Sequence, residues 1–116
     1  MQAKEFFKVI LRKKAKIFLP TIVWAETLTV LEHQKHEDLN RINLIMSELK
    51  RVNLDEEVVK QVLKTLQQQR ADLKTSDLVI AVTAKQEGAK LVTWDKQLLT
   101  RGKGICEVVR PEEVEE

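Results

Sequence analysis

The chain has 116 residues, 43% hydrophobic and 33% charged, with 20 basic and 18 acidic side chains and a formal net charge of +2. That length bounds it to one domain of ordinary size, and the composition excludes a disordered acidic chain, a membrane span and a strongly basic nucleic-acid packaging protein. A single cysteine makes no internal disulfide, which suits a reducing cytoplasm. The opening MQAKEFFKVILRKKAK is amphipathic and broken by lysines, without the continuous apolar stretch of a signal peptide. A cytoplasmic protein without membrane association is expected.

In chain order, Phe6, Phe7, Ile10 and Leu11 share one face of a predicted helix over residues 2–14. The apolar run Ile17–Leu19, stopped by Pro20, reads as a buried strand, and Pro20-Thr21 suits a helix entry. The helix that follows carries Val23, Trp24, Leu28 and Leu31 as its apolar positions. A further helix is expected over residues 38–50, a short strand over 52–54, and a helix over 56–69 capped by Asp55 with Val58, Val59, Val62, Leu63 and Leu66 on its apolar face. Thr75 or Ser76 is positioned to cap a helix over 77–87, and Gly88 stands where a helix-ending glycine belongs. Strand 91–94, a helical turn 96–100, a loop and strand 106–109 complete the pattern before Pro111. Residues 112–116 hold four glutamates and read as an acidic tail after a single domain over 1–111. Short apolar strands separated by helices imply parallel strands, right-handed crossovers and an α/β, doubly wound class with helices on both faces.

Such folds bind ligands outside the carboxyl ends of their strands. Asp95 directly follows strand 91–94. Glu26 lies about two turns into the helix after strand 17–19, and Asp77 opens the helix leading back to strand 91–94. The pattern therefore carries three carboxylates to one rim. Clustered carboxylates repel one another unless protonated or bridged by a cation, and an all-oxygen set selects Mg²⁺ or Mn²⁺ over zinc. The implied chemistry is phosphodiester hydrolysis by metal-activated water. Each acid has a structural alternative: Asp77 as a first-turn acid favoured by the helix dipole, and Asp95 as the N-cap of 96–100. Glu26 has the least, because it interrupts an apolar stretch.

The segments LPTIVWAETLTVLE (19–32) and LKTSDLVIAVTAKQEGAKLVTWDKQLL (73–99) resemble the PIN-domain pattern. The first has a strand, a proline and an apolar helix with one glutamate. The second has an aspartate opening a small-residue helix, then GA, then LVT-x-D. The closing ICEVVRPEE is similar to the family's final strand. The resemblance implies a PIN-like three-layer fold with a mostly parallel central sheet. It also implies a Mg²⁺- or Mn²⁺-dependent endoribonuclease of the kind found as toxins in toxin–antitoxin pairs, with an RNA substrate and an antitoxin protein as partners. Carried over residue by residue, Glu26, Asp77 and Asp95 match the family's acidic metal ligands. Thr93 matches the hydroxyl residue beside the last acid. The family's first strand, ending in an aspartate, has no counterpart here, so one of four acids is absent. Three outcomes stand open: a fragment, a homodimer or other partner chain that donates a strand, or a sheet closed up around a degenerate site. In the last case the chain is a PIN-like module that binds RNA or protein without catalysis. Asp38, Asp55 and Asp72 fall at helix ends or loops, and none is a replacement.

Lys96, Arg101 and Lys103 follow Asp95 and are candidates for holding RNA phosphates. Trp94 directly precedes that acid and is open to base stacking. Trp24 reads as core, His33 and His36 as part of a solvated face, and Cys106 as a small hydrophobe. The cluster Arg12, Lys13, Lys14 and Lys16 reads as solvated, with contact to RNA or an acidic partner as the functional alternative.

Overall fold

The computed structural model describes residues 16–69 and 72–114. The expected helix over 2–14 and its basic residues up to Lys14 lie outside them. The chain forms two compact units: one is Lys16–Asp55, and the other holds the described residues from Glu56 onward.

In the first unit, β1 (Phe18–Pro20) leads straight into α1 (Thr21–His33), with Pro20 in extended conformation as the N-cap. α2 (Leu39–Ser47) packs on α1, and β2 (Lys50–Val52) pairs in parallel with β1 in the register Phe18↔Lys50. The second strand thus lies two residues earlier than expected. Lys50 and Arg51 are exposed, so backbone bonding rather than an apolar run defines this strand, and hydropathy does not mark its first residues. Leu19 is buried between neighbours on this small sheet. Trp24, read from the sequence as core, is only half-buried, and its indole Nε1 donates to Asn43 Oδ1 at 2.9 Å, tying α1 to α2.

In the second unit, α3 (Glu56–Gln68) packs on α4 (Thr75–Gln86). α4 is apolar nearly all round, and a helix of that kind must be enclosed on every side. Its residues Asp77–Ala84 are indeed all buried, with Val82 1% exposed. α3 buries Val58 but leaves Val59, Leu63 and Leu66 about half exposed, so the wide apolar face read from its sequence packs along only one edge. α4 ends in a Schellman turn: Gly88 at φ +63°, Gly88 N–H to the Lys85 carbonyl at 3.1 Å, and Ala89 N–H to the Ala84 carbonyl at 2.9 Å. The expected side-chain cap at its start is not formed. Lys74 occupies the N-cap in extended conformation, and neither Thr75 nor Ser76 caps the helix.

β3 (Leu91–Val92) pairs in parallel with β4 (Val108–Val109), joined by α5 (Lys96–Arg101) and a 3₁₀ turn over Gly102–Gly104. Gly102 packs closely there: a methyl group in its place would meet Val108 Cγ2 at 3.2 Å. A second 3₁₀ turn, Pro111–Glu113, follows β4. The strands are parallel and the class is α/β, as read from the sequence. The single central sheet expected is instead two separate two-stranded sheets among the described residues, β1–β2 and β3–β4.

Candidate active site

The site is built where β3 ends. Leu91 N–H donates to the Glu107 carbonyl at 2.8 Å and Thr93 N–H to the Val109 carbonyl at 3.0 Å, which carries the ladder one residue beyond the strand. The Thr93 hydroxyl oxygen then accepts the Asp95 N–H at 3.0 Å and turns the chain. Asp95 caps α5: its Oδ1 accepts from Gln97 N–H at 2.8 Å and Leu98 N–H at 3.2 Å. The structural role anticipated for Asp95 is therefore real. Both bonds fall on Oδ1, which leaves Oδ2 for another partner.

Asp77 arrives from the other side, on the first turn of α4. An acid at the third helical position commonly folds back onto the N-cap N–H. Asp77 does not: among the described residues it makes no hydrogen bond or ion pair, although the residue is only 8% exposed. Its side chain lines an open cleft of about 300 Å³ shared with Asp72, Leu73, Lys74, Asp95, Gln97 and Arg101. Burial pushes the Asp77 carboxyl above the usual carboxylate range, the neighbouring Lys74 ammonium draws it back, and the Asp95 charge raises it further.

Two of the three acids read from the sequence, Asp77 and Asp95, thus meet in one cleft. Glu26 is exposed on α1 of the first unit. Among the described residues no group of three or more His, Cys, Asp or Glu side chains stands close enough to hold a metal ion. The donor set still suits a hard cation, because Mg²⁺ is usually bound by one or two carboxylates and keeps its remaining waters for substrate oxygens. Of the basic candidates, Arg101 lines the cleft, and its Nη1 donates to the Asp72 carbonyl at 3.2 Å. Lys96 and Lys103 are exposed and do not line it. Lys74, Asp72 and Gln97 do, and the sequence reading passed over Lys74 and Gln97. The available signal was position: Asp72-Leu73-Lys74 leads directly into the helix that carries Asp77.

A model of the PIN domain matches residues 2–103. The chain belongs to the PIN-domain family. This PIN domain is similar in fold to a solved toxin–antitoxin complex from Klebsiella pneumoniae, with a TM-score of 0.62 at 24% identity over 82% of this chain and 73% of that one. No curated protein matches it. His33 and His36 are exposed, and His36 Nδ1 accepts the Asp38 N–H at 3.1 Å. Cys106 is half-buried, and burial pushes its thiol up, which keeps it in the unreactive protonated form. No helix among the described residues is long and apolar enough to cross a membrane.

Proposed function

We propose that this PIN domain is a metal-dependent endoribonuclease, the toxin of a toxin–antitoxin pair, and that the Asp77–Asp95 cleft is its active site. The observation that carries this reading is Asp77 itself, a nearly buried acid that forgoes its local hydrogen bond and faces a second carboxylate across an open cleft. Two such charges at close range are unfavourable alone and become favourable around a cation.

Asp77 and Asp95 would hold Mg²⁺ or Mn²⁺; the family pattern alone assigns Glu26 the role of an acidic ligand. When bound, the ion would polarise a phosphodiester and lower the pKa of water. The protein's own residues do the rest. The two hydrogen bonds to Asp95 Oδ1 and the Thr93 bond to its N–H fix the direction of that carboxylate. Lys74 and Arg101 place two positive charges on the cleft wall, where they bind and orient an RNA phosphate. Arg101 is held in place by the Asp72 carbonyl, which limits the entropy lost on binding. An antitoxin protein is the expected partner, in keeping with the toxin–antitoxin complex that shares this fold.

A second reading, a module that binds RNA or protein without turnover, is favoured by one observation: no three-acid group exists among the described residues. Incubation with single-stranded RNA, with Mn²⁺ or with EDTA, separates the two. Cleavage that needs the cation and is lost in Glu26→Gln supports the nuclease; binding without turnover supports the module.

A further inference from the structure

We infer that Gln69 and Arg101 form a two-point strap that positions the cleft wall at residues 72–74, and with it the Lys74 ammonium, for the substrate phosphate. This inference rests on the RNA reading above. The sides of the cleft are not held alike. Asp77 belongs to a helix whose residues 77–84 are all buried, and Asp95 is bonded to the two amides that it caps. Residues 72–74 lie between α3 and α4 in no helix or strand; Asp72 and Lys74 are exposed and Leu73 is half-buried. With no backbone ladder and little burial, such a segment depends on side-chain bonds for its place.

Two side-chain bonds tie this stretch of chain to one turn. Gln69 Nε2 donates to the Gly104 carbonyl at 3.2 Å, and Arg101 Nη1 donates to the Asp72 carbonyl at 3.2 Å. The pairs 69 with 104 and 72 with 101 run antiparallel, so together they set both the place and the direction of the chain that enters α4. Each end of the strap is itself fixed. Gly102 and Ile105 are buried, and the Ile105 and Cys106 N–H groups both donate to the Gly102 carbonyl, at 2.9 and 3.1 Å. On the other side, the Gln69 N–H donates to the Thr65 carbonyl of α3 at 3.0 Å.

Gln69 does not line the cleft, so it acts on the substrate only through the wall, as a positioning residue. Arg101 does line it, and the bond to Asp72 uses one N–H of its guanidinium fork, so the same side chain supports the wall and binds a phosphate beside Lys74. Two cations grip one phosphate only while their spacing is kept, and the strap sets the spacing of Lys74 and Arg101. Neither bond touches Asp77 or Asp95, so the effect falls on substrate binding rather than on the chemical step.

The test uses the full chain, backbone NMR relaxation in EDTA without RNA, and cleavage kinetics on a short single-stranded RNA in Mn²⁺. In Gln69→Ala the order parameters of Leu73 and Lys74 are expected to fall from the rigid range of about 0.85 toward the flexible range below about 0.6, while residues 79–82 inside α4 keep their wild-type values. The same variant should raise KM about 2- to 12-fold, the span of one hydrogen bond's net worth, with kcat little changed. Gln69→Glu, equal in length but without the donor, should loosen the wall as Gln69→Ala does. Gln69→Lys, which restores a donor, should return Leu73 and Lys74 to the rigid range. Wild-type order parameters at Leu73 and Lys74 in Gln69→Ala overturn the strap and leave the nuclease standing. Loosening that spreads equally through α4, or a loosened wall with an unchanged KM, overturns the positioning role. A loosened wall in Gln69→Ala, with RNA neither bound nor cut by the wild type, upholds the strap and overturns the RNA reading.

Discussion

Asp95 lies across one cleft from Asp77, and its negative charge adds to burial in raising the Asp77 carboxyl above the usual carboxylate range. In the unfolded chain Asp77 ionises near 3.8. The folded protein therefore binds more protons than the unfolded chain between that value and the raised one, and stability falls as pH rises through this window. Asp77→Asn removes the buried charge. In EDTA, the variant is expected to melt at a higher temperature than the wild type at neutral pH, with the gap closing below 3.8. Thermal melts of both proteins across this range check the sign.

Asp95 carries a structural and a proposed metal-binding role, and two substitutions separate them. Asparagine caps helices about as well as aspartate, whereas alanine costs about 1 kcal/mol. Asp95→Asn is thus expected to keep the wild-type stability and Asp95→Ala to lose roughly 1 kcal/mol, measured by denaturant unfolding. Both variants should lose divalent-cation binding.

That binding has its own readout. A cation that binds only the folded protein stabilises it, by about 1.4 kcal/mol when present at ten times its Kd. Mn²⁺ is expected to raise the melting temperature of the wild type and to leave that of Asp77→Asn unmoved. An equal rise in both would place the cation elsewhere.

The two long helix ends provide a test of the fold. α1 and α4 both close with Schellman bonds: Lys35 N–H to the Glu32 carbonyl at 3.0 Å and His36 N–H to the Leu31 carbonyl at 3.0 Å repeat the pattern at Gly88. Lys35 nevertheless holds φ 51°, a left-handed conformation that a side chain disfavours. Gly88→Ala is expected to cost about 1 kcal/mol, and Lys35→Gly to gain up to roughly that amount. Chemical denaturation of each variant measures both.

The sequence made plain what local chemistry decides. Gly88 at a helix end and Asp95 after a strand each follow from one residue type in one place, and the helix read over 77–87 is found over 75–86. The sequence placed β2 two residues late, because the strand's Lys50 and Arg51 are exposed and its pairing is carried by the backbone. Nor did it show that the strands pair as two sheets, because strand partners are chosen over long separations that periodicity does not report. The meeting of Asp77 with Asp95 could be read from topology. Lys74 could not, because a lysine beside a helix start is usually only a solvated charge, and its place in the cleft depends on the path of the loop before α4.

The most direct measurement of the central claim is the rate at which the purified chain cuts single-stranded RNA in Mn²⁺, set beside Asp95→Asn. This variant keeps the helix cap and removes the charge, so a folding defect does not account for a loss. The account predicts Mn²⁺-dependent cleavage that falls roughly 100-fold or more in Asp95→Asn, in line with removing a group that acts directly on developing charge. Cleavage that persists in EDTA, or at the wild-type rate in Asp95→Asn, would contradict it.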